Sequence, residues 1–288
     1  PKIRSLFDDL KYSPSKLTRG DPRERTIEQM FSLSAAVEVP NSNNDDEDDD
    51  DPIHGIYREF DLESVHELLE RVKVEKNEEL SQLFSKSIYV GTVLLQYVLF
   101  SSDDTLYMCE LFPLTRLFFY QLFLRHFGNY GKIQFAAPID MGELIMQFPI
   151  DVEPEFDTDC QNEVQWIIHK LNQHKELLDD YFRIRIKGNL LMNMPDVLPG
   201  YEPSFTALGL FLIRLVLWID WESEFDCIFG VVDELAMLYA VQKEDAVSKE
   251  LLERTQKMIK NVVMPEIKTQ AFSPNAALIT DGSLVRIK

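Results

Sequence analysis

The chain has 288 residues, 45% of them hydrophobic, enough for one or two domains with a sizeable core. Its 49 acidic side chains outnumber 29 basic ones and leave a formal net charge of −20. That balance excludes a surface built mainly for phosphate contact, so any role on DNA runs through a partner or a segment outside the chain. Cys109, Cys160 and Cys227 are scattered, with no C-x-x-C pair, which fits reduced intracellular thiols and neither a disulfide scaffold nor a zinc module. No secretory signal opens the chain, and it starts with Pro1 rather than Met, so a fragment or a processed product is expected.

Residues 1–57 are expected to be unfolded. Asn41 to Pro52 is polar and holds seven consecutive acids, Asp45 to Asp51. Like charges at that density repel and bury nothing, which marks a solvated linker rather than a bait for basic partners. Order begins near Arg58. Asp61 can cap a helix whose apolar positions Leu62, Val65, Leu69 and Val72 recur at helical spacing. The period then changes, and Ser87–Thr92, Leu95–Phe100 and Thr105–Leu111 read as three antiparallel strands. Ser101 to Asp104 supplies the second turn.

Leu117 to Phe127 is apolar on nearly every side, as expected for a helix buried against a sheet or at an interface, with Gly128 and Gly131 stopping it. A second helix spans Glu163 to Tyr181. Phe182, Ile184 and Ile186 alternate with Arg183, Arg185 and Lys187 as a half-buried strand, and Gly188-Asn189 turns it back into Leu190 and Leu191. Pro195, Pro199, Gly200 and Pro203 mark a boundary. Beyond it lie a buried helix around Leu208–Trp218, a helix from Ser223 to Tyr239, and a last one that Pro265 is expected to end. Neither Leu117–Leu124 nor Phe205–Trp221, which Arg214 interrupts, reaches the roughly 18 uninterrupted apolar residues of a membrane span. The fold class is α+β with segregated strands.

The search for chemistry returns mostly absences. No phosphate-cradling glycine loop, dinucleotide fingerprint or serine elbow is present. His66-Glu67-Leu68-Leu69-Glu70 resembles the start of a zinc-protease helix but lacks the second histidine four residues on, so it reads as an exposed charged face. His169 and His174 are about a third of a turn off a shared helical face. His174 reads as a partly buried structural histidine, and His126 as a cation favoured near a helix C-terminus. Glu222, Glu224, Asp226, Asp233 and Glu234 could suggest a divalent-metal nuclease site. Acids near a helix start suit its dipole, however, and a carboxylate site needs convergence from separate elements. Trp218 and Trp221 bracket Asp220, and either line a shallow peptide-binding surface or pack in the core.

Several segments, in order, resemble the C-terminal region of the MutL-homologue-one family of eukaryotic DNA mismatch repair. They include Ser87-Ile88-Tyr89-Val90-Gly91, Leu117-Phe118-Phe119-Tyr120-Gln121, Phe127-Gly128-Asn129-Tyr130-Gly131 and Leu177 to Phe182. Pro199 to Pro203, Phe211 to Leu215, Ile219-Asp220-Trp221-Glu222, Cys227 and Glu234 to Tyr239 continue the series. Upstream, Arg19 to Glu24 with Ile27-Glu28 resembles the family segment that opens the interdomain linker. Order, more than any one motif, carries the resemblance.

The resemblance implies a MutL C-terminal-domain-like α+β fold, an antiparallel sheet with flanking helices and an inserted external subdomain. Residues 58–131 and 204–288 would form the dimerisation subdomain and residues 132–203 the external one. It implies pairing with a second MutL homologue, of the post-meiotic-segregation type or a meiotic paralogue. That partner would carry the metal-dependent endonuclease, whose Asp-Gln-His-Ala-x-x-Glu motif is absent here. It implies a nuclear, non-enzymatic docking module that meets DNA only indirectly, touches no membrane, and binds short peptide motifs such as that of a repair exonuclease. The implied dimerisation helix carries Leu117, Phe118, Tyr120, Gln121, Leu124 and Phe127, and the implied peptide surface Trp221, Glu222 and Phe225. No cofactor is expected in this chain. ATP and Mg²⁺ would belong to an amino-terminal ATPase domain outside it, and Zn²⁺ or Mn²⁺ to the partner. The family's Phe-Glu-Arg-Cys ending is not reached at Lys288: either the sequence is shortened there or this chain does not complete the partner's site.

Overall fold

The computed structural model describes residues 60–148, 162–243, 248–269 and 271–287. The expected linker with its acidic run, and Cys160, lie outside them. The first helix, α1 (Glu63–Glu75), buries Ser64, Val65 and Leu68. Asp61 does not cap it: Leu62 holds that position without a side-chain bond, and the Asp61 carboxylate lies 3.3 Å from His66 Nε2 instead. A short α2 (Glu78–Ser85), capped by the Asn77 side chain accepting from the Leu80 N–H, was not evident from the sequence pattern.

Strands β1 (Ile88–Val93), β2 (Tyr97–Ser102) and β3 (Thr105–Glu110) form the expected antiparallel meander. Both hairpins turn on two consecutive residues with positive φ, the pattern of a type I′ turn. In the second these are Asp103 (46°) and Asp104 (62°), a residue type that tolerates the left-handed region. In the first they are Leu94 (51°) and Leu95 (54°), and the Gln96 N–H donates back to the Val93 carbonyl at 2.9 Å. A left-handed leucine costs roughly 1–2 kcal/mol through its Cβ. Because Leu95 serves the turn, β2 starts at Tyr97 rather than Leu95.

The long apolar helix, α3, runs Leu111–Arg125, with Pro113 tolerated in its first turn. Gly128 follows at φ +70°, with the Phe60 ring where any Cβ would stand. A strand absent from the sequence expectation, β4 (Gly131–Asp140), then opens a second sheet of order β4-β6-β5. After the short α4 (Met141–Ile145), the expected single helix from Glu163 to Tyr181 proves to be two. These are α5 (Glu163–Gln173) and α6 (Lys175–Phe182), which part at His174. Arg183 closes α6 in the left-handed region, so alternation begins only at β5 (Arg185–Lys187), which returns through Gly188-Asn189 into β6 (Leu190–Asp196).

Helix α7 (Leu208–Leu217) and helix α8 (Glu224–Tyr239), the latter capped by Ser223, stand where expected. The last helical stretch departs from expectation at Pro265. From α9 (Lys249–Met258) the chain widens into a π turn over Ile259–Val263 and continues as α10 (Met264–Ile267), past the proline. A proline clashes with the carbonyl four residues back and offers no N–H, and a π turn makes room for it. After α11 (Ala277–Thr280), β7 (Leu284–Arg286) pairs with β3 and completes a four-stranded sheet of order β1-β2-β3-β7.

One continuous apolar core joins both sheets to the helices. Phe84, Phe100, Phe118 and Phe272 interlock behind the four-stranded sheet. Tyr239 packs against Phe119 and Phe123 of α3. Its hydroxyl donates to the Pro195 carbonyl of β6, while its own carbonyl accepts from the Tyr201 hydroxyl.

Candidate docking surfaces

The six residues expected on a dimerisation helix do not form an exposed face. Phe118, Gln121, Leu124 and Phe127 are buried in this chain's own core, and Leu117 and Tyr120 are half-buried. Gln121 acts as a clasp: its amide donates to the Ser273 carbonyl at 2.7 Å and accepts from the Ser273 N–H at 2.9 Å. Tyr120 meets Phe229 of α8 edge to face. The apolar surplus that suggested an interface is absorbed by packing against α1, α8 and the returning tail segment, and α7 is buried in the same way.

The unclaimed apolar surface lies on strands. Cross-strand partners share a face of a sheet. The register places Val93 beside Tyr97 and Ile88 beside Ser101, whose other neighbour is Leu106. It also sets Leu99, Met108 and Val285 in one row. This is the side away from the core, because Val98, Phe100, Cys109 and Leu284 are the buried set. On the outer side Ile88 is 66% exposed and Val90 56%, with Val93, Val285 and Ile287 also exposed. Val90 is the extra residue of a bulge that shifts the register between Tyr89 and Gly91.

The expected peptide surface is divided. The Trp221 indole N–H donates to the Leu215 carbonyl at 3.0 Å, and its ring stacks on His174 at 4.1 Å and 8°. Burial, and then Lys170, lowers the His174 pKa, so a neutral imidazole meets the indole. Glu222 is exposed. Phe225 lies under the Arg71 guanidinium, 4.5 Å from its ring centre, and parallel to Phe229. Between them Glu224 is 2% exposed. Its Oε1 accepts from Ser64 Oγ at 2.8 Å, and its Oε2 has no hydrogen-bond partner among the described residues. In the sequence Glu224 is one acid among several at a helix start. Only its burial against α1 distinguishes it. Trp218 is exposed, with the Arg214 guanidinium over its ring.

The carboxylates do not converge. Asp226 accepts from Ser223, Asp233 takes both its bonds from Arg116 at 2.8 Å, and Glu234 faces Arg214 at 3.7 Å. Among the described residues no group of three or more His, Cys, Asp or Glu side chains is placed to hold a metal ion. His126, expected as a cation, has its pKa lowered by burial and then by Arg125, so the ring is neutral. Among those residues no helix is long and apolar enough to cross a membrane.

Residues 61–288 match the family model described as "DNA mismatch repair protein Mlh1 C-terminus". The chain belongs to this family. It is 27% identical over 190 residues to the DNA mismatch repair protein Mlh1 of Dictyostelium discoideum, covering 65% of this chain and 22% of that protein. It is 27% identical over 242 residues to that of Saccharomyces cerevisiae, covering 75% and 31%. A MutL protein homolog 1 from Schizosaccharomyces pombe is 26% identical over 286 residues, covering 90% and 40%. The chain thus spans well under half the length of these curated relatives. The Mlh1 C-terminal match includes every element from α1 to β7, and so both surfaces.

Proposed function

We propose that this chain is the pairing module of a MutL-type complex in nuclear DNA mismatch repair. It binds a second MutL homologue, of the post-meiotic-segregation type, through the outer face of its four-stranded sheet. The observation that carries the reading is that face: exposed Ile88, Val90 and Val93 on one edge strand and Val285 and Ile287 at the other, joined across the middle by half-buried Leu99 and Met108, in a chain of net charge −20. Apolar surface of that kind, on an otherwise charged chain, is what an obligate interface covers. The partner supplies the endonuclease and its Zn²⁺ or Mn²⁺, while ATP and Mg²⁺ belong to an amino-terminal ATPase domain. Residues 58–131 and 204–288 act as the pairing unit and 132–203 as an external insert. Supporting this division, β7 from the chain's end pairs with β3, and the second sheet is built from residues between them.

The test is co-expression with a post-meiotic-segregation-type C-terminal domain, followed by size-exclusion chromatography with light scattering. A stable one-to-one complex that Val90→Asp abolishes is expected. Two separate monomer peaks for the parent pair would sink the proposal.

The exposed Glu222 carboxylate between half-buried Trp221 and Phe225 favours a second role, docking of a short basic peptide from a repair factor such as an exonuclease. Half-buried aromatic rings beside an exposed carboxylate suit an anchoring side chain with a cationic neighbour. Glu222→Gln is expected to weaken peptide binding and leave the heterodimer intact, while unchanged peptide affinity would remove this role.

A further inference from the structure

The first hairpin breaks a local rule that the second obeys. Both turn through two left-handed residues, yet Asp103-Asp104 suit that backbone and Leu94-Leu95 do not. Leu95 is buried to 1% exposure, so packing offsets its strain. Leu94 is 69% exposed, so no comparable burial among the described residues offsets its strain. It stands at the apex next to Val93, the end of the outer apolar face. An aliphatic side chain held out on a strained, hydrogen-bonded turn is preorganised for insertion elsewhere.

The area of the sheet supports an extension there. Three strands of six residues and one of three, about 4.8 Å apart and rising about 3.4 Å per residue, offer a footprint of roughly 340 Å². A standard interface takes about 800 Å² from each partner. The sheet face alone is therefore too small, and the hairpin apex continues it. A second copy of this chain is disfavoured as occupant, because each copy carries a net charge of −20.

We propose that Leu94 is an anchor of the heterodimer, seated in an apolar pocket on the second MutL-type chain, so that the β1–β2 apex keys the sheet face to its partner. This rests on the sheet-face reading above. The backbone conformation that is unfavourable in the free chain is matched by contact in the complex, and partner choice is then set at the apex as well as across the sheet.

The experiment compares the parent with Leu94→Gly, Leu94→Asn and Val90→Asp. Two quantities are measured: the melting temperature of each chain alone and its affinity for the post-meiotic-segregation-type C-terminal domain. Glycine and asparagine both accept the left-handed turn, so the isolated chains are expected to melt at or above the parent temperature. Their affinity is expected to fall by at least about tenfold. Unchanged affinity in both Leu94 variants, while Val90→Asp still abolishes binding, overturns the anchor and leaves the sheet-face reading standing. Unchanged affinity in Val90→Asp overturns the sheet-face reading, and the anchor with it. A lower melting temperature in both Leu94 variants would place Leu94's role inside its own fold and overturn the proposal. So would a stable dimer of the parent chain alone.

Discussion

Glu234 is buried in α8, 3.7 Å from Arg214, and two effects on its carboxyl group oppose each other there. Burial raises its pKa, Arg214 pulls it down, Asp233 raises it and Arg116 lowers it, and the result lies at about 7 against an ordinary 4.5. Burial is the largest effect, and the charge and hydrogen bonding of Arg214, reaching across 3.7 Å, offset only part of it. The folded chain therefore binds more protons than the unfolded chain between those two values. Stability from this group is present below pH 4.5 and is lost as pH rises through about 7. At about 1.4 kcal/mol for each tenfold in proton affinity, the loss amounts to about 3 kcal/mol. Glu234→Gln keeps the shape and removes the ionisation. In urea unfolding it is expected to match the parent near pH 4.5 and exceed it by up to about 3 kcal/mol at pH 8. A glutamine variant less stable than the parent at pH 8 would refute the reasoning, because the Arg214 attraction would then outweigh burial.

Two further outcomes test the packing and the turns. A Cβ on Gly209 would stand 2.2 Å from the Leu144 carbonyl oxygen, a backbone atom that cannot swing away. Gly209→Ala is therefore expected to destabilise by about 3 kcal/mol in denaturant unfolding, and a loss under about 1 kcal/mol would show that α4 and α7 separate freely. The double change Asp103→Asn and Asp104→Gly supplies the residues a type I′ turn prefers and removes the Asp103 contact to Lys86, an exposed pair of little weight. It is expected to raise stability by about 1 kcal/mol, measured the same way, and a decrease would mean that the charge pair outweighs the turn.

The sequence pattern made the meander, α3, α7 and α8 legible, because each has a clean period or a continuous apolar run bounded by turn residues. It misplaced what depends on tertiary partners. The run from Leu117 to Phe127 looks the same whether another chain or its own core covers it, and only the Gln121–Ser273 clasp and the α8 contact decide between them. β4 was missed because its pairing with β6 is interrupted between Gln134 and Ile139, which breaks the alternation that Ile133 and Phe135 begin. β7 was missed because a three-residue strand gains its identity from β3, far away in sequence. Pro265 reads locally as a stop, and the π turn that accommodates it has no local signature. Of the expected site residues, Trp221 and Phe225 do flank the start of α8, yet Glu224, with its unpartnered oxygen, could not be told from Glu222 without the fold.

The two proposed surfaces can be separated experimentally because they share no element. The sheet face belongs to β1, β3, β7 and the β1–β2 turn, with Val90, Leu94 and Val285 exposed. The peptide surface belongs to the start of α8, where Glu222 and Phe225 adjoin Trp221, whose ring stacks on His174 at the junction of α5 and α6. Between them lies the core in which Phe123 and Tyr239 join α3 to α8. Substitutions in that core unsettle both surfaces together, whereas charge placed on an exposed strand residue disturbs one alone. A pairing defect from Val90→Asp with peptide affinity retained, and the reverse from Glu222→Gln, would establish two independent docking functions on one scaffold. Joint loss in either variant would instead mean that the scaffold itself had unfolded, which the melting temperature of the isolated chain reports directly.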